Sequence, residues 1–430
     1  MYFYGCLMAG QLLIQGGTIL RDGSAELADI LVSEGRIKRI GSGIQPEGGC
    51  TVIDARGLLV TAGFTDIHVH LREPGNPEKE TLRTGTLAAA RGGYTTVCAM
   101  PNLSPVPDSP EHLAAEARII ARDAVVRVLP YASITLGRKG LEPVDMEALK
   151  PLCVAFSDDG SGVQDDAVML GAMRRAAALD VIITAHCEDN SLLRGGYIHD
   201  GKYCAEHGHR GICSESEWGQ IRRDLQLCES AGCRYHVCHI STAESVELIR
   251  NAKRRGVRVT CETAPHYLLL CDEQLQEDGR FKMNPPIRSA SDRDALLEGL
   301  LDGTIDAIAT DHAPHTAEQK SRGLEGSAMG VTGLEAAFPV LYTGLVLGGK
   351  LSLGKLVDLL TDSPRRVMRI EGGLCEGASA DITLIDLEEE FTIRGEDFLS
   401  KGHSTPFEGM RVRGRVKRTL YGGETVWEDR

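Results

Sequence analysis

The 430-residue chain has an ordinary globular composition, with 42% hydrophobic and 25% charged residues. No uninterrupted apolar run approaches the roughly 18 residues that a membrane-spanning helix needs, which argues against a membrane protein. The formal net charge of −14 argues against a nucleic-acid partner, because such a partner normally requires a basic face. The length allows one large core and a smaller accessory unit.

The cysteines and the start of the chain indicate a cytoplasmic protein. The 13 cysteines are odd in number and include no C-x-x-C pair, which favours reduced thiols over a disulfide framework. The first residues do not show a basic segment followed by a long apolar segment and a cleavage site, which argues against secretion. Residues 1–9 resemble a short extension, so that Met8, as well as Met1, is a candidate for the true start.

Both ends of the chain contain short strand-like runs separated by turn residues. The runs cover residues 12–19, 28–32 and 36–40 at the start, and 380–385, 411–416 and 418–426 at the end. Neither end has enough apolar residues to fold well alone, so we expect the two ends to pair into one small discontinuous β-sandwich. The predicted boundaries are 1–57 and 366–430 for this domain and 58–365 for the central one.

The central part alternates strand-like runs with helix-like stretches, which is typical of a parallel sheet with helical crossovers. The eight runs are 58–70, 94–101, 126–135, 153–159, 181–187, 234–240, 257–263 and 305–311. The helix-like stretches are 78–92, 109–124, 164–179, 215–232, 243–255, 289–302 and 332–347, with only a short helix near 145–149. This order favours an α/β fold of the (β/α)8 TIM-barrel type, although a count of strands does not prove closure.

The first central run ends in two histidines one residue apart, His68 and His70. Because side chains alternate along a strand, both imidazoles face the same side and could bind one metal ion, such as zinc. Two hydrogen-bonded core histidines explain so short a pattern equally well. Candidate ligands at other strand ends must decide between these interpretations.

Other strand ends carry further metal-ligand residue types. In a TIM barrel the carboxyl ends of the strands meet at one rim, where the fourth, fifth, sixth and eighth runs place Asp159, His186, His239 and Asp311. Each residue alone has a structural explanation as a helix cap or a core histidine. Their convergence favours a metal site. His236, three positions before His239, is expected to point away from it.

Several segments of the chain resemble the dihydroorotases of the amidohydrolase superfamily, specifically the type I bacterial group. The segments occur in order through the barrel and into the C-terminal β part: 68–75 (HVHLREPG), 99–102 (AMPN), 156–160 (FSDDG), 185–189 (AHCED), 238–242 (CHIST), 262–268 (ETAPHYL), 284–288 (NPPIR), 310–315 (TDHAPH), 377–381 and 405–407.

The resemblance implies a zinc centre built from the residues already singled out. His68, His70 and Asp311 would hold one ion, and His186 and His239 a second, with Asp159 shared. Related cyclic amidases bridge their metals with a carboxylated lysine on the fourth strand, but residues 153–159 contain no lysine, which favours a dihydroorotase. An aspartate can serve one ion or two, so one or two zinc ions per chain are both open.

The reaction implied by the resemblance is the reversible cyclisation of N-carbamoyl-L-aspartate to L-dihydroorotate plus water, in de novo pyrimidine (UMP) synthesis. The nucleophile in the hydrolytic direction would be a zinc-bound hydroxide, since zinc lowers the pKa of water to about 7. Asp311 would be the general acid and base.

Arg72 is the candidate cation for the substrate carboxylate that stays outside the ring. It lies two residues after His70 on the ligand side, and its planar fork suits a carboxylate; the alternative is a surface salt bridge. The resemblance assigns Asn102 and His315 to the same carboxylate, and Asn284, Met329 and Gly330 to the ring. The Gly-rich stretch 323–333 could close as a lid or simply form a flexible connection.

Two other functions stay open. Another cyclic amidase, such as allantoinase or a dihydropyrimidinase-like enzyme, is opposed by the missing lysine and by Arg72 with Asn102. A scaffold subunit for aspartate carbamoyltransferase is the second alternative, although such dihydroorotase-like subunits have lost metal ligands and every ligand position is filled here. A homodimer and a complex with aspartate carbamoyltransferase are both compatible with the sequence.

Overall fold

The computed structural model describes residues 11–21, 24–46 and 48–429. The extension 1–9, with the candidate starts Met1 and Met8, lies outside the described residues. The strands are β1 (Leu12–Arg21), β2 (Ser24–Ser33), β3 (Arg36–Gly41), β4 (Thr51–Asp54), β5 (Leu59–Ala62), β6 (Phe64–Val69), β7 (Tyr94–Ala99), β8 (Arg127–Pro130), β9 (Phe156–Ser157), β10 (Ile182–Ala185), β11 (Ile198–His199), β12 (Gly211–Ile212), β13 (Arg234–Val237), β14 (Val259–Thr263), β15 (Ala307–Ile308), β16 (Ile382–Thr392), β17 (Arg411–Tyr421) and β18 (Glu424–Glu428).

The α-helices are α1 (Leu82–Arg91), α2 (Pro110–Asp123), α3 (Met146–Leu149), α4 (Asp166–Leu179), α5 (Lys202–His207), α6 (Glu215–Ala231), α7 (Ala243–Arg254), α8 (Pro265–Leu269), α9 (Ala290–Leu301), α10 (Ala317–Lys320), α11 (Gly323–Gly326), α12 (Ala337–Leu341), α13 (Leu353–Leu360) and α14 (Asp362–Met368).

The two ends of the chain share one β-sheet. Its hydrogen-bonded order is β18-β17-β16-β5-β1-β2-β3, with β4 beside β1. Strand β16 from the C-terminal end pairs antiparallel with β5, so that Ile382 lies opposite Ala62 and Ile385 opposite Leu59. Buried side chains from both ends, such as Ile30, form a core of their own. The prediction that the ends fold together is therefore confirmed.

Eight parallel strands between these ends close into a barrel. Strands β6, β7 and β8 form one hydrogen-bonded group, and β9, β10, β13, β14 and β15 form another. Parallel bridges between Ala132 and Phe156, and between Val69 and His312, join the two groups at both edges. The strand count had left closure undecided, and these bridges confirm the (β/α)8 barrel.

The predicted single run 58–70 is in fact two strands. Strand β5 belongs to the sheet of the chain ends and β6 to the barrel, with Gly63 between them. A Cβ atom at residue 63 would lie 2.2 Å from a methyl group of Thr95, so glycine is required at this crossing. The prediction was wrong because both strands are buried on all sides, and no change of pattern marks the break.

The barrel helices begin at side-chain caps. Thr81, Asp165 and Thr242 each accept a hydrogen bond from a backbone N–H in the first turn of α1, α4 and α7, which satisfies donors that the helix leaves free. The single-turn helix α3 is the only α-helix between β8 and β9, as the sequence indicated. The stretch 332–347 holds only α12, followed by a π-helical turn over Tyr342–Val346.

Two further observations concern the described residues as a whole. Their helices include none that is both long and apolar enough to cross a membrane. Each cysteine among them is a free thiol, and most of these thiols are buried.

Helix α2 buries a carboxyl group, that of Glu116, against the barrel. The residue is 1% exposed, and neither carboxyl oxygen has a hydrogen-bond partner. Burial raises the pKa of Glu116 to about 8, whereas an unfolded glutamate has a pKa of about 4.3. Between these values the folded state binds more protons than the unfolded state, so this group lowers stability as pH rises through that window.

We expect Glu116→Gln to raise the free energy of unfolding at pH 8 by about 2 kcal/mol and to change it little at pH 5, because only the charged form is penalised by burial. Urea unfolding at both pH values measures this. Glu111→Gln, at an exposed position of the same helix, is the control and should change stability by less than about 0.5 kcal/mol. An equal effect of Glu116→Gln at both pH values would contradict the assignment.

Candidate active site

The six predicted metal ligands meet at the carboxyl end of the barrel. They come from five strands of the barrel: His68 lies within β6 and His70 directly after it, Asp159 follows β9, His186 follows β10, His239 follows β13 and Asp311 follows β15. All six are buried. The structure therefore brings together every residue in this predicted set.

Asp159 lies at the centre of the cluster. Its Oδ1 atom is 3.4 Å from His68 Nε2, 3.7 Å from His239 Nε2 and 3.9 Å from His186 Nδ1. Its Oδ2 atom is 3.6 Å from His70 Nε2. One carboxylate thus lies within 4 Å of four imidazole rings.

The remaining ligands form two groups on either side of Asp159. On one side, Asp311 Oδ1 is 3.1 Å from His70 Nε2 and 3.6 Å from His68 Nε2. On the other, His186 Nδ1 is 3.0 Å from His239 Nε2. The cluster therefore has two lobes with one carboxylate between them.

The donor set fits a metal ion. The ligand atoms of His68, His70 and Asp311 lie within 4.8 Å of one another, as do those of His68, Asp159 and His239. His68 Nε2 and Asp159 Oδ1 are buried without a hydrogen-bond partner, which is costly unless something else satisfies them. A metal ion would satisfy both atoms, and imidazole with carboxylate is a typical zinc ligand set.

Both aspartates of the cluster are held in the charged form. Burial alone would raise the pKa of Asp159, but the positive charge of the neighbouring imidazoles, chiefly His68, outweighs it, so the pKa lies well below its usual range. Burial is likewise outweighed at Asp311, where the hydrogen bond to His70 and the nearby His68 charge lower the pKa. Each carboxylate is therefore available as a ligand or a proton acceptor.

The backbone is strained where it carries the site. Arg72, His239 and Asp311 have φ angles of 60°, 32° and 48°, in the left-handed region that residues other than glycine seldom adopt. Such conformations cost about 1–3 kcal/mol each and cluster at functional sites. The strain turns the chain sharply after strands β6, β13 and β15.

Arg72 is buried beside the metal ligands. Its Nε donates to the carbonyl oxygen of Pro314 at 3.3 Å, and its Nη2 is 3.5 Å from His315 Nε2. Burial lowers the pKa of Arg72 to about 10, so the guanidinium is still charged at neutral pH. The side chain is not on the surface, which removes the surface salt bridge as its explanation, and its hydrogen bond goes to a neutral carbonyl oxygen.

The two asparagines predicted to bind substrate, Asn102 and Asn284, contact a histidine and a glutamate of the site. Asn102 Oδ1 is 2.9 Å from His70 Nδ1, so this amide orients the imidazole of a predicted metal ligand. Asn284 Nδ2 donates to Glu188 Oε1 at 2.8 Å. Asn102 thus has a supporting role that the sequence did not indicate.

His315, Met329 and Gly330 form one unit next to Arg72. His315 Nε2 donates to the carbonyl oxygen of Met329 at 2.7 Å. Burial and the charge of Arg72 lower the pKa of His315 to about 3, so its ring is neutral. Gly330 has φ +132°, and a Cβ atom there would lie 2.5 Å from the carbonyl oxygen of Ala313. Only glycine at position 330 allows the backbone to lie this close to Ala313.

The Gly-rich stretch 323–333 is tied to the barrel by a buried lysine. Lys320 Nζ donates to three carbonyl oxygens, those of Lys282 (2.9 Å), Ala328 (2.9 Å) and Gly330 (2.7 Å). Lys282 Nζ in turn donates to the carbonyl oxygen of Glu325 at 2.6 Å. Two hydrogen bonds from Lys320 therefore hold this stretch, and the third joins it to the segment that carries Lys282.

Sequence comparisons place this chain among known proteins. A family model described as Dihydro-orotase-like matches residues 57–245. The dihydroorotase of Bacillus cytotoxicus is 51% identical over 420 residues, covering 97% of this chain and 98% of that protein. A dihydroorotase of Geobacillus sp. (strain WCH70) has the same identity and coverage. This chain belongs to the dihydroorotase family.

Solved structures support the fold of this dihydroorotase-family chain. L-Hydantoinase (dihydropyrimidinase) from Arthrobacter aurescens superposes with a TM-score of 0.87 at 26% identity, over 98% of this chain and 96% of that chain. Dihydropyrimidinase from Brevibacillus agri superposes with a TM-score of 0.83 at 24% identity, over 97% and 95%. The second likeness concerns the fold alone.

Sequence reasoning missed Glu262, the carboxylate that supports His68 in this dihydroorotase-family site. Glu262 Oε1 is 2.8 Å from His68 Nδ1, and Oε2 is 3.2 Å from His236 Nε2. Such a partner fixes the tautomer and leaves Nε2 as the ligand. His236 contacts Thr260 Oγ1 on its other side at 2.8 Å and is not part of the ligand cluster. A glutamate within the apolar strand Val259–Thr263 was the signal available.

We expect Glu262→Gln to weaken zinc binding about 10- to 100-fold, because the imidazole of His68 loses its carboxylate partner. Zinc content after dialysis against graded chelator measures this. Glu244→Gln, at an exposed position on α7, should bind zinc as the wild type does. Unchanged affinity in a folded Glu262→Gln protein would show that Glu262 does not support the ligand.

We expect Lys320→Met to loosen the stretch 323–333, because three buried carbonyl oxygens lose their donor. An arginine-specific protease should then cleave after the exposed Arg322 about 10-fold faster than in the wild type. Lys350→Met, which removes an exposed lysine, is the control. Equal cleavage rates in all three proteins would contradict the anchoring role.

Proposed function

We propose that this chain is a dihydroorotase, which interconverts L-dihydroorotate and N-carbamoyl-L-aspartate and releases water on ring closure, as a step of pyrimidine synthesis. The observation that carries the proposal is the position of Asp159 within 4 Å of four buried imidazoles. Curated relatives about half identical to this chain over nearly its full length are dihydroorotases, which supports the same reaction here.

We assign His68, His70 and Asp311 to one zinc ion and His186 and His239 to a second, with Asp159 shared. The two lobes of the cluster and the unpaired atoms His68 Nε2 and Asp159 Oδ1 support this assignment. When bound, zinc polarises a carbonyl oxygen and lowers the pKa of water to about 7. The shared carboxylate suits either one ion or two.

Asp311 carries the proton in our mechanism. Its carboxylate is anionic because the hydrogen bond to His70 and the charge of His68 outweigh the effect of burial on its pKa. In hydrolysis it accepts a proton from the attacking water and delivers it to the departing ring nitrogen. Ring closure reverses these transfers and consumes one proton overall, so lower pH favours the cyclic product.

The carboxylate outside the ring binds Arg72 in this proposal. The guanidinium is buried and charged, it donates a hydrogen bond to the neutral carbonyl oxygen of Pro314, and its fork matches a carboxylate. Asn102 and the neutral His315 complete this part of the site. Asn284 and the backbone at Met329 and Gly330 would then contact the ring.

Further proposals concern the specificity, the partners, the cellular location and the domains of this chain. Another cyclic amidase is not favoured, since the fourth strand offers an aspartate and not a lysine and the half-identical relatives are dihydroorotases. We retain a homodimer, a complex with aspartate carbamoyltransferase and a cytoplasmic location as proposals. The domain division 1–57, 58–365 and 366–430 is also proposed.

We expect Asp311→Asn to lower kcat for L-dihydroorotate hydrolysis by about 10²- to 10⁴-fold, because an amide cannot accept the proton. Ultraviolet absorbance follows the reaction, and zinc analysis of the same samples must show that metal is partly retained. Asp294→Asn, at an exposed site, is the control and should keep wild-type activity. Faster turnover of allantoin or dihydrouracil than of L-dihydroorotate by the zinc-loaded wild type would overturn the substrate assignment.

A further inference from the structure

A second guanidinium, that of Arg138, lies at the rim of the barrel near Arg72. It stands at the end of a short 3₁₀ turn, Leu136–Arg138, that follows β8. Gly137 and Arg138 have φ angles of 61° and 55°, so two successive left-handed residues reverse the chain here. Asp108 fixes this reversal by accepting a hydrogen bond from the Gly137 N–H at 2.8 Å.

The side chain of Arg138 crosses from this loop to the loop after β9. Its Nη2 donates to Ser161 Oγ at 3.0 Å, whereas its Nε is buried without a hydrogen-bond partner. A Cβ atom placed on Gly160 would lie 3.7 Å from Arg138 Nη2 and 3.8 Å from Asn102 Nδ2. The guanidinium and the Asn102 amide therefore approach the same point, one residue from Asp159.

Nearby negative charges balance the positive charge of Arg138 only in part. Burial lowers its pKa, and the charges of Asp159 and Asp158 oppose this effect. The positive charge of Arg138 also contributes, far less than burial does, to the lowered pKa of Arg72. A buried guanidinium with an unpaired N–H is stabilised when an anion binds to it.

We propose that Arg138 is a further specificity-determining residue, which binds the carboxylate outside the ring together with Arg72 and Asn102. The proposal rests on the dihydroorotase function given above. Its basis is the approach of Arg138 and Asn102 to the same point next to Gly160 and the buried Nε of Arg138 that has no hydrogen-bond partner. Arg138 would thus select substrates that carry this carboxylate over those that lack it.

Arg138→Met tests this inference in the full-length zinc enzyme. We expect KM for L-dihydroorotate to rise about 10- to 100-fold, the usual effect of losing a buried charge-assisted hydrogen bond, with kcat within about 3-fold of the wild type. Arg138→Lys should fall between the two proteins, because lysine keeps the charge but not the fork. Lys139→Met removes the same charge from an exposed neighbour and should leave KM unchanged.

Two competitive inhibitors separate carboxylate binding from a merely structural role. N-carbamoyl-L-aspartate carries the carboxylate, and N-carbamoyl-β-alanine is the same molecule without it. Arg138→Met should weaken the first inhibitor about 10-fold or more and leave the second unchanged. Equal weakening of both inhibitors, or an unchanged KM, would overturn the inference. An inactive zinc-loaded wild type would instead overturn the dihydroorotase function itself.

If Arg138→Met loses zinc or does not fold, the same comparison is made with Arg138→Lys and Arg138→Gln. The inhibition constant of N-carbamoyl-L-aspartate divided by that of N-carbamoyl-β-alanine should then increase from wild type to lysine to glutamine. A ratio that is the same in all folded variants would overturn the inference.

Discussion

The arrangement of the site depends on one buried carboxylate, that of Asp159, placed among four imidazoles. Asp159 brings a negative charge among these four buried histidines from the end of the two-residue strand β9. The carboxylate can reach histidines from three other strands only because the barrel is closed. The bridges from Ala132 to Phe156 and from Val69 to His312 therefore determine the geometry of the cluster as directly as the ligands do.

A second set of contacts determines which atoms of the ligands face the centre. Asn102 and Glu262 contact Nδ1 of His70 and His68, and the Nε2 atoms are left to approach Asp159 and Asp311. Rigid support of this kind holds a metal site in its productive geometry. The left-handed backbone at Asp311 is part of the same support, since its cost is offset by the surrounding packing.

The positions of the metal ligands could be predicted because they follow from local rules. Strand periodicity places His68 and His70 on one side, and parallel strands bring their carboxyl ends to one rim. The substrate roles came from the family resemblance and not from spacing. The break at Gly63, the carboxylate of Glu262 and the approach of Arg138 to Asn102 could not be predicted, since each depends on contact between segments far apart in sequence. Glu262 and His68, for example, are separated by 194 positions.

The central claim is that the cluster around Asp159 binds the metal on which dihydroorotate chemistry depends. The most direct test is a zinc titration of the metal-free protein, with bound zinc and the rate of L-dihydroorotate hydrolysis measured on the same samples. The account predicts no activity without metal and a rate that rises with bound zinc to a plateau at one or two ions per chain. Full activity in the metal-free protein, or an inactive protein with the cluster loaded, would contradict it.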